Sequence, residues 1–219
     1  MEKKHTHSLL VYGFLILTMV LFMVFSIYFT TFQRWIYVKE MERTFGWERW
    51  NEAEYRENLN VILEYLADHK GESDIGEGYS KREILHMEDV KLLYTLARYV
   101  LGIGGFIWCI LLLCLLYHIK MNFLFQRLWI LYVLPLVLGF FAYIGFHQFF
   151  ELFHKILFRN DFWLLDAEAK LIQMFPLEIF IKLSQAIFGI YFLMVIILTV
   201  IVAMKTKTER KKYGNCKAN

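Results

Sequence analysis

The sequence predicts an all-α membrane protein with four transmembrane helices and a small helical extracellular cap. Of its 219 residues, 58% are hydrophobic and only 21% are charged, which is too apolar for an ordinary soluble domain. The apolar residues concentrate in four runs, each close to the roughly 20 residues that a helix needs to cross the hydrocarbon layer of a bilayer. We therefore expect a single membrane domain over residues 1–219.

The elements follow in order along the chain. We expect the transmembrane helices at about 9–32, 94–117, 128–150 and 178–204, with the cap at about 33–91 and a short outer interfacial loop at about 151–175. The first apolar run follows Lys3 and Lys4, as in a secretory signal peptide. It is longer than the apolar part of such a peptide and has no small-residue cleavage site, so we interpret it as a retained membrane anchor.

The distribution of lysine and arginine predicts the orientation in the membrane. The expected inner segments are short and basic, and the tail from Lys205 to Lys217 carries six basic residues against the single acid Glu209. Short loops rich in basic residues stay on the cytoplasmic side, whereas a segment as long as 33–91 follows this rule weakly. Both termini are therefore predicted to be cytoplasmic. The net charge of +3 says little about partners, and we expect no nucleic-acid partner.

Local signals describe two of the helices. Ser80 and Glu83 have the spacing of a capping box, in which each side chain binds a free backbone N–H group of the other residue. Because no glycine or proline follows until Gly102, we expect this helix to run unbroken into the second span. Pro135 should kink the third helix, which is expected to continue helically as far as Phe158.

Two polar stretches beside the apolar runs carry histidines. His86 lies near the start of the capped helix, and Asp89 shares its face, where the carboxylate would fix the imidazole tautomer. His147, Glu151 and His154 are spaced i, i+4 and i+7 and share one face of the extended third helix. Ionisable groups so near hydrocarbon are costly unless they are paired or hydrated, which favours a functional role. The predicted topology brings both stretches to one side of the membrane, and an imidazole pKa of about 6.5 suits acid and base catalysis alike.

Two other functions are compatible with these residues. Glu83-x-x-His86 and Glu151-x-x-His154 are E-x-x-H units of the kind that di-iron helix bundles use as ligands, so a membrane di-metal oxidoreductase is one alternative. Against it, Glu83 already has a role in the capping box. The second alternative is a non-enzymatic membrane assembly protein. Nucleophilic catalysis is poorly supported, because the chain has no G-x-S-x-G motif.

Two cations lie near the outer ends of the predicted second and fourth spans. These are Arg98 and Lys182, which could reach lipid phosphate, pair with Asp89 and Asp166, or bind a substrate. The sequence leaves these three roles open.

Two motifs resemble a known family. The first is the run from Glu83 to Lys91, E-I-L-H-M-E-D-V-K. The second comprises Phe153-His154, Phe158, Trp163, Asp166, Leu171-Ile172 and Phe175-Pro176. Together they resemble the lipoprotein intramolecular transacylases, which are integral membrane proteins of Gram-positive bacteria with four membrane helices and an extracellular cap. In topology the likeness covers nearly the whole chain, whereas the cap contributes length rather than signature.

The resemblance implies a reaction and its catalytic residues. An acyl chain would move from the glyceryl sn-2 ester of a diacylglyceryl lipoprotein to the α-amino group of its N-terminal cysteine, giving an N-acyl lyso-form lipoprotein. The family uses two catalytic histidines, and His86 and His154 occupy the matching positions. We expect His86 to deprotonate the amine and His154 to polarise the intermediate or protonate the leaving oxygen, with the reverse assignment open. The residues expected to orient this pair or to contact substrate are Glu83, Asp89, Trp163, Asp166, Arg98 and His147.

The resemblance also implies partners and location. The substrate would be a lipid-modified bacterial lipoprotein, reached among membrane phospholipids, and no cofactor or metal is expected. We expect a multi-pass monomer in the bacterial cell membrane, with its active site at the outer interface between membrane and cap.

Overall fold

The fold is helical throughout the part of the chain that is described. The computed structural model describes residues 2–47, 50–69, 75 and 78–215, and within these ranges it contains nine helices and no strand. The helices are α1 (Glu2–Thr31), α2 (Arg34–Phe45), α3 (Glu52–Leu66), α4 (Lys81–His118), α5 (Met121–Phe125), α6 (Ile130–Ile144), α7 (Phe146–Leu157), α8 (Lys170–Met174) and α9 (Leu177–Asn215).

Four helical segments are long and apolar enough to cross a membrane. They are His7–Thr31, Lys81–His118, Met121–Ile144 and Leu177–Lys211. The predicted fold class, an all-α protein with four membrane-spanning helices, is therefore confirmed. Many large apolar side chains on these segments are exposed, as expected where lipid rather than water covers the surface.

The chain forms two compact units, which are described in turn. Unit 1 contains α1 as far as Ser26, the stretch Tyr99–Gly139, and the chain from Phe188 onwards. Its core includes Phe14, Leu115, Leu131 and Tyr191. A polar contact crosses this core, because the indole N–H of Trp108 donates to the Thr18 hydroxyl over 2.8 Å.

Pro135 leaves a backbone acceptor in unit 1 that a side chain satisfies. Proline has no N–H group, so the carbonyl four residues earlier, that of Leu131, loses its usual helical donor. The buried Tyr191 hydroxyl donates to this carbonyl over 2.8 Å. In hydrocarbon an unmet backbone carbonyl is costly, and α9 thus stabilises the proline-containing helix α6.

Unit 2 contains Ile27–Arg98 and Phe140–Ile187. Tyr55 of α3 is fully buried at its centre, and its hydroxyl donates to the Met174 carbonyl of α8 over 3.2 Å. At the start of α4, the Ser80 N–H donates to Glu83 Oε2 over 2.7 Å and the Glu83 N–H donates to Ser80 Oγ over 3.3 Å. The predicted capping box is therefore confirmed, and so is the unbroken course of α4 into its apolar part.

The third predicted helix is divided, contrary to the expectation of one helix reaching Phe158. Helix α6 ends at Ile144, Gly145 adopts φ −140° and ψ 65°, and α7 begins at Phe146. A Cβ at Gly145 would lie 3.0 Å from Gln148 Oε1, so a residue other than glycine there would require the Gln148 side chain to shift. His147, Glu151 and His154 still lie on one helix, but that helix is α7 and not a continuation of α6.

Candidate active site

The two predicted histidines lie side by side in unit 2. His86 is in the second turn of α4 and His154 is in the last turn of α7. Their ring centroids are 6.0 Å apart, with 37° between the ring planes. The expectation that two imidazoles from separate stretches meet is therefore confirmed. This distance leaves room for a reacting group that touches both rings.

Aromatic side chains surround His154. Its ring centroid lies 4.2 Å from that of Phe150, 5.1 Å from Trp163 and 5.6 Å from Phe158. Phe158 also meets His86 edge to face at 5.2 Å. The predicted site residue Trp163 is thus beside the histidines, and only 8% of His154 is exposed. The site is a largely apolar enclosure around two titratable rings.

One hydrogen bond defines the tautomer of His154. Its Nδ1 lies 2.7 Å from the Phe150 carbonyl oxygen. Because a carbonyl only accepts, Nδ1 carries the proton, and in the neutral ring Nε2 then holds the lone pair. Burial lowers the pKa of His154, while the bond to the Phe150 carbonyl opposes this effect. Burial therefore favours the neutral ring, which presents Nε2 as a base.

His86 has an unused polar atom. Its Nδ1 is buried and has no hydrogen-bond partner within the described part of the chain. Asp89 shares the face of α4 but accepts from the Asn160 amide over 2.8 Å, so it does not fix the His86 tautomer as expected. A buried polar atom without a partner costs about 1–3 kcal/mol, and such atoms in native proteins often have a functional explanation.

Two contacts hold the loop after α7 against α4. Asn160 donates to Asp89 and accepts from the Phe162 N–H over 3.1 Å, and Arg82 donates to the Asp161 carbonyl. This loop carries Phe158 and Trp163, so the two contacts position these aromatic side chains beside the histidines. Sequence analysis did not single out Asn160, because its partner Asp89 is 71 positions away.

Glu83 ties α8 to the start of α4. Besides its bond with Ser80, it accepts from the Leu171 N–H over 2.9 Å through Oε1, and only 3% of the residue is exposed. Both carboxylate oxygens thus bind backbone donors. Glu83 was predicted to orient the histidines or contact substrate. In the structure it holds the first turn of α4, one turn before His86.

The remaining predicted residues lie elsewhere. Arg98 donates to the Leu66 carbonyl over 3.1 Å and pairs with Asp68, so it joins α4 to the end of α3. Twelve residues separate it from His86, about 18 Å along a helix. His147 is exposed, seven residues before His154, and Asp166 is exposed on the loop before α8.

The two E-x-x-H units do not form a shared ligand set among the described residues. Glu83 is engaged by backbone N–H groups, and Glu151 pairs with Lys155 over 2.5 Å, which lowers the pKa of Glu151. Over the described ranges, no three His, Cys, Asp or Glu side chains cluster as they would around a metal ion.

Helix α7 buries a polar side chain and exposes apolar ones, the opposite of a helix on the surface of a soluble protein. It buries His154 and exposes large apolar side chains, with Leu152 at 56% and Ile156 at 71% exposure. Such a face suits contact with lipid rather than water. The helix can therefore hold a buried histidine on one side and meet acyl chains on the other.

The fold defines a class, a multi-pass helical membrane protein, in which two histidines lie side by side in aromatic surroundings. The family model described as "Lipoprotein intramolecular transacylase Lit" matches residues 12–180, and the chain belongs to this family. Membership makes it a lipoprotein intramolecular transacylase that is integral to the membrane, which confirms the family and enzyme class expected from the two motifs. No curated protein matches the chain.

Solved structures agree with this fold. The membrane-integral lipoprotein intramolecular transacylase Lit from Bacillus cereus is 24% identical, with a TM-score of 0.85 over 95% of this chain and 99% of that one. A structure of the same enzyme with a histidine-to-arginine substitution is 22% identical, with a TM-score of 0.78 over 96% of each chain. Another, with a histidine-to-alanine substitution, is 22% identical, with a TM-score of 0.77 over 95% and 97%.

Proposed function

We propose that the enzyme moves an acyl chain within one diacylglyceryl lipoprotein. The chain leaves the glyceryl sn-2 oxygen and joins the α-amino group of the N-terminal cysteine, giving an N-acyl lyso-form lipoprotein. The observation that carries this proposal is the pair of rings 6.0 Å apart, one of which presents a lone pair fixed by the Phe150 carbonyl. An ester is exchanged for an amide, so the reaction needs no redox or nucleotide co-reactant.

The first step activates the amine. An α-amino group has a pKa of about 8, so at neutral pH it is mostly protonated and must first lose one proton to water. His154 acts as the base through Nε2, because Nδ1 is committed to the Phe150 carbonyl. That same carbonyl stabilises the imidazolium that forms. Of the two assignments that the sequence leaves open, this geometry supports His154 as the base.

The second step breaks the ester. The amine nitrogen bonds to the sn-2 carbonyl carbon, and the developing oxyanion accepts a hydrogen bond from a ring N–H of His86. His154 then returns its proton to the sn-2 oxygen as the C–O bond breaks. The nitrogen thus loses two protons: the first passes to water before the attack, and the second, which His154 takes as the C–N bond forms, ends on the glyceryl hydroxyl, so both histidines regain their starting states.

The aromatic enclosure serves the same chemistry. Water in the site would hydrolyse the ester instead of letting the amine attack, and Phe158 and Trp163 beside the rings exclude it. Holding amine and ester in one orientation supplies several kcal/mol of the rate effect. The lipid-facing side of α7 gives the two acyl chains a path into the bilayer.

The proposed orientation brings the site to the substrate. With the basic tail after Lys205 in the cytoplasm, four crossings leave both histidines on the outer side. Lipid-modified lipoproteins anchored in the outer leaflet then reach the site by lateral diffusion. The enzyme acts there as a monomer among membrane phospholipids.

Mass spectrometry of a diacyl lipopeptide incubated with the purified enzyme tests the function. The mass should stay constant while one acyl group changes from an ester to an amide linkage. His86→Ala and His154→Ala should each slow conversion about 100-fold or more, the usual contribution of general acid–base catalysis. His147→Ala, an exposed histidine on the same helix as His154, is the matched control and should retain most activity.

Three results would count against the proposal. These are release of free fatty acid, transfer to a second lipid, and near-normal conversion by either histidine variant. Equal loss in His147→Ala together with stoichiometric iron or manganese in the purified protein would favour the metalloenzyme instead.

A further inference from the structure

We propose that a pocket beside the histidines binds the polypeptide that follows the lipidated cysteine and favours acidic residues there. The pocket, called here the peptide pocket, is lined by Lys81, Arg82, Leu85, Asn160, Asp161 and Phe162 and has a volume of about 560 Å³. This inference rests on the proposed function, and it identifies the part of the substrate other than the lipid that the enzyme would recognise.

Residues that line the peptide pocket are next to the two histidines. Leu85 directly precedes His86, and Asn160 binds Asp89 on the next turn of the same helix. The loop that forms its other wall continues to Trp163, which meets the His154 ring at 5.1 Å. A chain whose first residue reacts between the histidines therefore finds this pocket next to it.

The position along α4 matches the direction in which the polypeptide must leave. The apolar part of α4 lies on the C-terminal side of His86, whereas Lys81 lies five residues on the N-terminal side, about 7.5 Å away along a helix. The acyl chains occupy the apolar side, so the polypeptide leaves toward the polar end. An extended chain rises about 3.3 Å per residue, which brings the second and third residues after the cysteine to Lys81.

The charge of the peptide pocket indicates what it prefers. Lys81 and Arg82 are exposed cations in the first turn of a 38-residue helix, whose N-terminus adds partial positive charge. Of the acidic groups near them, Glu83 is buried against backbone N–H groups, and the exposed Asp161 side chain offsets one of the two positive charges, which leaves the pocket lining with one positive charge in excess. Backbone carbonyls and carboxylates of the polypeptide therefore complement this surface better than lysines do.

Competition between matched lipopeptides tests the inference. Diacyl lipopeptides that differ only at the second and third residues after the cysteine (Asp-Asp, Ser-Ser or Lys-Lys) are mixed in nanodiscs at low salt, and their conversion is followed by mass spectrometry. We expect Asp-Asp to be converted about fivefold faster than Lys-Lys, the size of effect that exposed ion pairs give. High salt should reduce this ratio.

Lys81→Glu should bring the ratio to one or below, and Lys81→Gln should lower it part of the way, so either variant suffices if the other folds poorly. Lys39→Glu, which changes an exposed lysine of α2 that does not line the peptide pocket, should keep the wild-type ratio. Equal conversion of all three lipopeptides by the wild type, or a ratio unchanged in both Lys81 variants, overturns the inference and leaves the proposed function standing. If the wild type converts none of them to the amide, the proposed function itself fails.

Discussion

Replacing Glu83 by alanine tests whether this buried carboxylate supports the active site by joining α8 to α4. The substitution removes the acceptors of the Ser80 and Leu171 N–H groups, which are 2.7 and 2.9 Å from the carboxylate. Hydrogen bonds to charged groups contribute about 1.5–3 kcal/mol each, so the loss is about 3–6 kcal/mol. For a chain of this size, 1 kcal/mol corresponds to about 2–4 °C in melting temperature, which gives a fall of about 6–24 °C.

Thermal unfolding of the detergent-purified protein measures this fall. Glu83→Gln keeps one carbonyl acceptor and should melt between the wild type and Glu83→Ala. Glu57→Ala, which removes an exposed carboxylate on α3, should melt within about 0.5 kcal/mol of the wild type and serves as the control. If Glu83→Ala melts within 2 °C of the wild type, the supporting role assigned to the carboxylate is wrong.

Three further perturbations test other contacts. Asn160→Asp should slow acyl transfer about fivefold, because two carboxylates then repel each other where Asn160 had donated to Asp89. Adding Asp89→Asn restores a donor and should recover the rate. A double variant no faster than the single one would contradict the role of this contact. Tyr191→Phe should lower the free energy of unfolding by about 1–2 kcal/mol and leave the rate of acyl transfer unchanged. The reason is that the Leu131 carbonyl, which has no amide donor because of Pro135, then also loses the Tyr191 hydroxyl. An unchanged melting temperature refutes this. Burial lowers the pKa of His154, so below about pH 6.5 the unfolded ring gains a proton before the folded one, and the free energy of unfolding falls as pH falls. The slope of melting temperature against pH should therefore be smaller in His154→Gln. Equal slopes in the variant and the wild type argue against a buried neutral ring.

The features that sequence analysis predicted correctly depend on local signals. The capping box at Ser80 is a spacing of three residues, and the long course of α4 follows from the absence of glycine and proline before Gly102. The pairing of His86 with His154 followed from topology together with the two family motifs. Composition and spacing suffice for the capping box and the long helix because neighbouring residues determine them, whereas the histidine pairing needed the topology of the whole chain and the family motifs.

The features that sequence analysis missed depend on tertiary packing. Glu83 and Leu171 are 88 positions apart, and Asn160 and Asp89 are 71 apart, so no spacing rule relates them. The sequence left three roles open for Arg98, and it identified neither of the contacts described above: the Leu66 carbonyl is a backbone group without a sequence signature, and Asp68 is 30 positions away. The break at Gly145 was equally hidden, because a single glycine within an apolar run is often tolerated in a membrane helix.

The bond between His154 and the Phe150 carbonyl lies between these two cases. Its partners are four residues apart on one helix, so their proximity is predictable, but the ring rotamer that brings Nδ1 to 2.7 Å depends on the surrounding aromatic side chains. This detail decides which histidine acts as the base in our proposal. The proposed assignment of base and acid therefore required coordinates, whereas the proposed catalytic pair could be named from the sequence.

Joint action of the two imidazoles is tested most directly by the rate of ester-to-amide conversion in His86→Ala, His154→Ala and the double variant, each first shown to melt like the wild type. If both rings serve one transition state, each single variant loses about 100-fold or more, and the double variant is hardly slower than the worse single one. A double variant whose loss equals the product of the two single losses, or a single variant close to the wild-type rate, would contradict this account.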